Sequence, residues 1–182
     1  MFVDEAQDIS AGEYELIREI NSNASFNVFG DLDQNVTPYR GVESWESVFP
    51  DFEIFKLNRN YRNTNQIVEF VAKTLQTDML PMGYDGEDVQ TVTSRGVSAF
   101  FKESKGLKAV ICSEQDKEEY AKKSYCIVSD KGRLSRSKIN LLTVYESKGL
   151  EFSSVVVADK NMTPKERYIA YTRALKDLAV IK

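Results

Sequence analysis

Two adjacent carboxylates near the start of the chain suit the chemistry of phosphoryl transfer. Asp4 and Glu5 follow the apolar residues Phe2 and Val3, which indicates the end of a short buried strand. A carboxylate in such a place can hold a hydrated Mg²⁺ ion while its neighbour orients or deprotonates an attacking water. Taken alone, the pair also fits an ordinary solvated strand end.

The segment GDLDQNVTPYRG, residues 30–41, offers further groups of this kind. Gln34 is a short polar side chain that can reach a phosphate or its water. Tyr39 and Arg40 place a ring beside a guanidinium, a combination that stacks a base and binds its phosphate. Tyr39 by itself equally fits a half-buried packing residue.

The segment LNRNYRNT repeats the pairing of a ring with a cation. Tyr61 can stack a nucleobase, and the neighbouring Arg62 can make two parallel hydrogen bonds to phosphate oxygens. Two arginines in so short a stretch also fit a solvated loop.

Residues 143–152 and 166–178 supply the last group. Lys148 followed by Gly149 resembles a phosphate-binding turn. Arg173 lies late on a mostly apolar helical face, where an unpaired guanidinium is costly, so it requires an anionic partner or an internal salt bridge.

These residues need strands and helices to position them, and in open α/β sheets ligands lie beyond the carboxyl ends of the strands. Several of the apolar runs are nearly continuous, as buried parallel strands are. The predicted strands are residues 25–31, 52–57, 108–113, 138–145, 153–159 and 177–182. Residues 98–104 fit a further short strand.

The helices have recognisable start signals. Ser10 with Glu13, and Thr163 with Glu166, are capping-box pairs, and the second of these helices is predicted to run to about residue 175. Another helix is predicted over residues 64–75. Alternation of strands with helices predicts an α/β layer fold with a mainly parallel sheet.

Composition narrows the class of protein. The chain has 182 residues, 42% of them hydrophobic, and a net charge of −4, so it is not a strongly basic domain and any nucleic-acid contact must be local. No run approaches the roughly 18 apolar residues that span a bilayer, so a cytoplasmic protein without membrane contact is expected. Without histidine and with two separated cysteines, a usual zinc site is excluded.

Taken in order, the quoted segments resemble a helicase family. VDEAQD, GDxxQ with a later YRG, NYRNT, TVYESKGLEF and YIAYTRA look like motifs II to VI of the superfamily 1 DNA helicases of the UvrD, Rep and PcrA type. The resemblance implies a P-loop NTPase (RecA-like) three-layer α/β sandwich with a mainly parallel sheet. It also implies that residues 1–50 are a remnant of the first RecA-like domain, with motifs II and III, and that residues 51–182 form the second, with motifs IV, V and VI.

The resemblance further implies ATP and Mg²⁺ as cofactors and single-stranded DNA as a partner, with ATP bound between the two domains. Asp4 would be the Mg²⁺ ligand and Glu5 the catalytic base, and Gln34 would sense the γ-phosphate. The catalytic set would be Asp4, Glu5, Gln34, Arg62 and Arg173. The ATP-binding set would be Tyr61, Arg62, Lys148, Gly149, Glu151 and Arg173, and the DNA-binding set Tyr39, Arg40, Thr143 and Tyr145.

The sequence departs from the family pattern in three ways. It contains no GxxxxGK followed by Ser or Thr, the loop that holds the β- and γ-phosphates. We therefore expect a carboxyl-terminal fragment that is inactive alone and has the missing amino-terminal half of the same polypeptide as a partner. Tyr145 replaces the usual histidine, and the interval from Arg62 to Thr143 is too short for the large inserted subdomain. Both features resemble the helicase IV or HelD-like branch, some members of which act on RNA polymerase.

Two other functions stay open at this point. One is a non-catalytic helicase-like module that binds nucleic acid or RNA polymerase without hydrolysing ATP. The other is a nuclease-linked helicase of the AddA or RecB kind, which needs a further carboxylate-rich domain. Asp4, Glu5, Gln34, Arg62 and Arg173 together favour the enzyme, because a scaffold needs none of them.

Overall fold

All strand pairings in the described part of the chain are parallel, as the alternation of apolar runs and helices predicts. A computed structural model of the chain describes residues 1–37, 40–128 and 133–182. They fall into two units, Met1–Leu57 and Asn58–Lys182. The predicted division between residues 50 and 51 lies before this one, and the assignment of the two parts to RecA-like domains stays a prediction.

In its described residues, the first unit contains a two-stranded sheet and two α-helices. Its elements are β1 (Phe2–Val3), α1 (Ala11–Ile20), β2 (Asn27–Val28) and α2 (Trp45–Val48). Both helices begin at a serine whose hydroxyl accepts a backbone N–H, and α1 has the predicted capping box of Ser10 and Glu13. Its buried cluster consists of Val3, Ala6, Tyr14, Val42, Val48 and Phe49.

The second unit is built on a six-stranded sheet. Its first elements are β3 (Arg59–Asn60), α3 (Asn65–Leu75), β4 (Leu80–Pro81), β5 (Gln90–Val92), α4 (Val97–Phe100) and β6 (Lys108–Cys112). They are followed by α5 (Lys117–Tyr120), β7 (Cys126–Ile127), β8 (Ile139–Thr143), α6 (Val144–Ser147), β9 (Phe152–Ala158), α7 (Pro164–Thr172) and β10 (Ala174–Ile181). The strand order is β5-β10-β9-β6-β8-β7, and β3 pairs separately with β4.

Helices cover both faces of this sheet, which gives the predicted three layers. Side chains alternate between the faces along a strand. On one face, strand residues such as Val110 and Leu141 form a buried cluster with Val97 and Phe101, at and just after α4. On the other, α3 and α7 contact each other and β10. The central strands β6, β8 and β9 are almost fully buried. Burial on both faces explains why their sequences are nearly continuous apolar runs.

Four predicted element assignments differ from the structure. Residues 52–57 form no strand and expose Leu57 (92%), because no described segment pairs with them. Residues 98–104 belong to the region of α4, where the helical spacing of Val97 and Phe101 places both on the sheet. The strand predicted over residues 138–145 ends at Thr143, because Thr143 caps helix α6. The helix predicted to run to about residue 175 ends at Thr172, and strand β10 begins at Ala174.

No helix in the parts of the chain that the structure describes is long and apolar enough to cross a lipid bilayer.

The two cysteines are expected to differ strongly in reactivity. Cys112 is fully buried on β6, and burial, followed by the charge of Asp116, raises the pKa of its thiol to about 12. Its thiolate fraction near neutral pH is therefore lower than that of an ordinary thiol by about 10³-fold, while Cys126 is only half-buried. Labelling with an aromatic disulfide reagent should modify Cys126 first and Cys112 only on unfolding.

The same pKa shift sets the sign of a pH effect. Because folding favours the protonated thiol, its contribution to stability is complete below the unfolded pKa of about 9 and is lost as the pH rises towards 12. Equal labelling rates for Cys112 and Cys126 in the native chain would contradict the predicted difference in their reactivity. The chain in denaturant, in which both should react, is the control.

Candidate functional site

The turn that carries the two predicted carboxylates is held by a buried amide. The Oδ1 atom of Asp4 accepts a hydrogen bond from the backbone N–H of Glu5 at 2.9 Å. The backbone of Glu5 has φ +49°, a left-handed conformation that residues other than glycine rarely adopt. Such conformations are often found at functional sites. Its Oε2 accepts a hydrogen bond from Nε2 of Gln7 at 2.6 Å, and Gln7 is fully buried. The direction of the Glu5 carboxylate is thereby fixed.

Gln7 also joins this turn to the segment that carries Gln34. Its Oε1 accepts the backbone N–H of Asp31 at 3.0 Å, and Oδ2 of Asp31 accepts from Nε2 of Gln34 at 3.0 Å. The structure thus brings Glu5 and Gln34 into one hydrogen-bonded chain. The sequence interpretation missed Gln7, although its amide stands only two residues after Glu5.

Gly30 leaves the space that Gln7 occupies. A Cβ atom at this position would lie 2.7 Å from Oε1 of Gln7, 2.9 Å from the Trp45 ring and 3.0 Å from the Gln7 backbone nitrogen. Gly30→Ala is therefore expected to lower the free energy of unfolding of the first unit by about 1–3 kcal/mol. The fluorescence of Trp45, the single tryptophan of the chain, reports on this unit during denaturant unfolding.

Gly12→Ala is the matched control for this prediction. Gly12 lies on α1, and a Cβ atom there meets nothing within 4 Å. An alanine in an open helical position is expected to be neutral or to stabilise by up to about 1 kcal/mol. If Gly30→Ala and Gly12→Ala unfold at the same denaturant concentration, the close contact between position 30 and Gln7 does not affect stability.

Of the two DNA contacts predicted in the first unit, Tyr39 and Arg40, the structure describes only Arg40. Tyr39 lies outside the described residues. Arg40 is 55% exposed and its Nη2 donates to Oε1 of Glu13 at 2.9 Å. Hydrogen bonds from Ser10, followed by the nearby charge of Arg40, hold the pKa of Glu13 below its usual value. Arg40 is therefore engaged with the amino-terminal end of α1.

In the second unit, two predicted arginines meet at one turn. Nη1 of Arg62 donates to Oε1 of Glu151 at 2.7 Å. Nη1 of Arg173 lies 3.5 Å from the backbone carbonyl of Leu150, the residue before Glu151. Segments distant in sequence thus deliver both guanidinium groups to residues 150–151.

The two guanidinium groups have different surroundings. The Arg62 side chain is 53% exposed, whereas Arg173 is only 4% exposed as a residue. Nε of Arg173 donates to the carbonyl of Ile169 at 3.2 Å, and its Nη2 lies 3.4 Å from Oγ1 of Thr172. Arg173 thus has buried contacts to carbonyl and hydroxyl oxygens, and Arg62 makes a solvent-exposed ion pair at the turn.

The turn itself depends on Gly149. Gly149 has φ +72°, which favours glycine, and the N–H groups of Lys148 and Leu150 donate to the carbonyls of Tyr145 and Ser147 in α6. Tyr61 follows β3 and is 62% exposed, so one face of its ring can receive a base. Tyr61, Arg62, Lys148, Gly149, Glu151 and Arg173 all belong to this one unit.

The remaining predicted DNA contacts lie at the end of β8. Thr143 is fully buried, and its Oγ1 accepts the backbone N–H of Glu146 in a capping box. Tyr145 is 40% exposed on α6. Burial, followed by the charges of Glu166 and Glu114, raises the pKa of its hydroxyl. Tyr145 is therefore partly exposed, whereas the side chain of Thr143 caps α6, the helix on which Tyr145 lies.

Two asparagines that the sequence interpretation missed connect the arginine segments. Oδ1 of Asn60 accepts the backbone N–H groups of Arg62 and Asn63, a turn that asparagine commonly forms. The side chain of Asn63 is buried and reaches the end of α7. The signal in the sequence was the spacing of Asn60 and Asn63 around the Tyr61–Arg62 pair.

The described residues contain no group of three or more Cys, Asp or Glu side chains that could enclose a metal ion. Magnesium usually retains several waters and needs one or two carboxylates together with substrate phosphates. Asp4 is exposed and its carboxylate is the first polar side chain after β1. It therefore fits Mg²⁺ as a single protein ligand rather than as part of a closed site.

Comparison with known proteins matches the chain to helicases. A family model described as the viral superfamily 1 RNA helicase core domain matches residues 1–182. The chain is 36% identical over 75 residues to the ATP-dependent DNA helicase Rep of Escherichia coli strain K12, a match that covers 38% of this chain and 11% of Rep. It is 24% identical over 240 residues to a probable DNA helicase of Mycoplasma pneumoniae, covering 100% of this chain and 43% of that protein. The chain thus spans less than half the length of these relatives.

Solved structures share the fold. The PRRSV helicase has a TM-score of 0.61 at 17% identity and covers 100% of this chain and 34% of its own. An arterivirus nonstructural protein 10 helicase in complex with DNA has a TM-score of 0.61 at 16% identity, covering 100% and 39%. The carboxyl-terminal domain of a possible DNA helicase from Lactobacillus plantarum has a TM-score of 0.52 at 23% identity, covering 67% and 86%. The predicted α/β P-loop NTPase class is confirmed.

Proposed function

The chain belongs to the superfamily 1 helicases of the viral RNA helicase core-domain family, and from this premise we propose that it is part of an ATP-dependent DNA helicase or translocase. Such an enzyme couples ATP hydrolysis to movement along single-stranded DNA. Rep and the Mycoplasma pneumoniae relative, both named as DNA helicases, favour DNA as the nucleic acid.

The observation that carries this proposal is the meeting of Arg62 and Arg173 at residues 150–151. Guanidinium groups beside a transferring phosphoryl group stabilise its charge and accelerate transfer by about 10³–10⁵-fold. Tyr61 would stack on the adenine, the Lys148–Gly149 turn would approach the phosphates, and Glu151 would hydrogen-bond the ribose. An exposed Arg62 can exchange the Glu151 carboxylate for a phosphate at small cost, because an exposed ion pair contributes only about 0–1 kcal/mol.

The first unit would supply the groups that act on the metal and the water. Asp4 would bind Mg²⁺, which when bound neutralises phosphate charge. Glu5, held by Gln7, would orient the attacking water and accept its proton. Gln34 would sense the γ-phosphate, and its link to Glu5 through Gln7 and Asp31 would transmit that signal.

Single-stranded DNA would be bound without reading its sequence. Tyr145, whose ring is partly exposed on α6, would stack on bases, with Tyr39 as a second candidate from the sequence. Arg40 would contact the backbone phosphates. Thr143 is better suited to positioning Tyr145 through the α6 cap than to a contact through its own buried hydroxyl.

The chain would need a phosphate loop from further polypeptide of the same protein. Its sequence contains no GxxxxGK followed by Ser or Thr, so under this proposal half of the phosphate cradle would come from elsewhere. In the first unit, Phe2 on β1 is 77% exposed and Phe29, just after β2, is 54% exposed. Parallel sheets are normally covered on both faces, which supports additional polypeptide at the sheet of β1 and β2. The 182-residue chain alone should not hydrolyse ATP.

The test is DNA-stimulated ATP hydrolysis by the 182-residue chain and by the full-length product of its gene. We expect no turnover by the chain alone. The full-length product should contain GxxxxGKT or GxxxxGKS and should hydrolyse ATP faster with single-stranded DNA. A full-length product without this loop and without turnover would overturn the proposal.

The absence of a phosphate loop from this sequence favours one second candidate, a helicase-like module that binds nucleic acid or RNA polymerase without hydrolysing ATP. Tyr145 in place of the usual histidine and the short interval before Thr143 support the helicase IV or HelD-like branch, some members of which act on RNA polymerase. Binding to polymerase by an inert full-length product would establish this function.

A further inference from the structure

Asn63 lies at the junction of the two arginine segments. Its side chain is 1% exposed, and its Nδ2 donates to the backbone carbonyl of Thr172 at 3.0 Å and to that of Ala174 at 2.7 Å. These are the residues immediately before and after Arg173. One amide group therefore fixes the backbone on both sides of the buried arginine.

The two carbonyls need this partner because α7 ends and β10 begins around Arg173. The last carbonyls of a helix have no N–H partner within the helix itself. The pairing of β10 with β9 is also irregular between Ala174 and Asp177, so the regular ladder does not continue through this stretch. An asparagine amide carries two N–H donors and can satisfy both carbonyls, whereas a hydroxyl can satisfy only one.

The other end of the Asn63 side chain is tied to the loop that carries Arg62. Its Oδ1 accepts from Nδ2 of Asn60 at 2.7 Å. Oδ1 of Asn60 accepts the N–H of Arg62 at 2.9 Å and that of Asn63 at 3.0 Å. The Arg62 loop and the Arg173 backbone are thus joined through two asparagine side chains.

We infer that Asn63 is a positioning residue that holds Arg62 and Arg173 in register, so that both guanidinium groups reach residues 150–151. It acts by fixing the backbones from which the two arginine side chains extend. The value of this register for catalysis rests on the proposed function, in which both arginines act on ATP phosphates.

Asn140 provides a matched control. It is fully buried, and its Nδ2 donates to two backbone carbonyls, those of Lys108 and Ser135, at 3.0 and 2.9 Å. Asn140→Ser therefore removes the same kind of bonds as Asn63→Ser, but on β8 rather than beside Arg62 or Arg173.

The test uses the 182-residue chain and records its arginine Nε–Hε nuclear magnetic resonance signals together with thermal unfolding. In Asn63→Ser, the Arg173 Hε, which bonds to Ile169, should exchange with water about tenfold faster and shift. In Asn140→Ser the Arg173 signal should stay as in the wild type, although the chain is destabilised to a similar extent. An unchanged Arg173 signal in folded Asn63→Ser, or equal changes in both variants, would overturn the inference.

If Asn63→Ser does not fold, Asn60→Asp is decisive. It keeps the acceptor for the two backbone N–H groups but cannot donate to Asn63, so the Arg62 and Arg173 signals should both shift. Their joint retention would overturn the inference. In the full-length product, Asn63→Ser should lower kcat for ATP with little change in KM. If the wild-type product is inert, the proposed function fails while the spectra still decide the role of Asn63.

Discussion

Arg62→Ala in the full-length product of the gene is expected to lower kcat for DNA-stimulated ATP hydrolysis by about 10³–10⁵-fold. The variant removes a guanidinium that lies beside Glu151 at the turn where Arg173 also arrives. Stability should change little, because the Arg62 side chain is 53% exposed and its ion pair with Glu151 is solvated. Steady-state ATP turnover and thermal unfolding, measured on the same preparation, separate the two effects.

Two further variants sharpen this prediction. Arg136→Ala removes an exposed arginine that is not among the proposed site residues and should leave kcat as it is. Glu151→Gln keeps the Arg62 guanidinium but weakens the proposed hydrogen bond to the ribose, so it should raise KM for ATP more than it lowers kcat. A kcat for Arg62→Ala close to that of Arg136→Ala would show that Arg62 does not act on the reacting phosphate.

The elements that the sequence predicted best are those whose signals are local. The capping boxes at Ser10 and Thr163 are present in the structure, since each needs only a side chain and the N–H three residues later. The central strands were also recognisable, because burial on both faces requires continuous apolar residues. The family motifs then predicted the fold class, which the solved helicase structures confirm.

The features that sequence reasoning missed depend on contacts between distant segments. Residues 52–57 have the composition of a strand, but a strand exists only where another segment pairs with it. Gln7 and Asn63 are short polar residues that give only a local spacing signal, and their importance comes from carbonyls, N–H groups and carboxylates supplied elsewhere. The assigned roles of the motif residues stay predictions until turnover is measured.

Lys117→Met is expected to lower the free energy of unfolding of the second unit by about 3 kcal/mol. Nζ of Lys117 lies 2.5 and 2.7 Å from the two carboxylate oxygens of Glu146 and donates to the carbonyl of Val128 at 2.8 Å. The side chains of Lys117 and Glu146 are only 18% and 12% exposed. Removing the cation would leave a largely buried carboxylate uncompensated at the start of α6. Chemical denaturation monitored by circular dichroism measures the loss.

The double variant Lys117→Met with Glu146→Gln tests this cause directly. The substituted side chain at position 146 would be neutral, and its amide oxygen can still accept the N–H of Thr143, as Glu146 does at 2.8 Å. More than half of the lost stability should therefore return. Equal stability of the single and double variants would show that the loss of stability comes from the lost packing of the lysine side chain and not from the unpaired charge of Glu146.

The first unit offers a contrasting pair with the same architecture. Glu13 is also the capping-box glutamate of its helix, and Arg40 is its cation, but their side chains are 46% and 55% exposed. Water can solvate Glu13 when its partner is removed, so Arg40→Met should leave the unfolding midpoint unchanged. The two glutamates make the same cap, and burial alone distinguishes their need for a cation. Tyr145 lies on α6, the helix that Thr143 and Glu146 cap, so Lys117→Met should also weaken the proposed stacking of Tyr145 on single-stranded DNA in the full-length product.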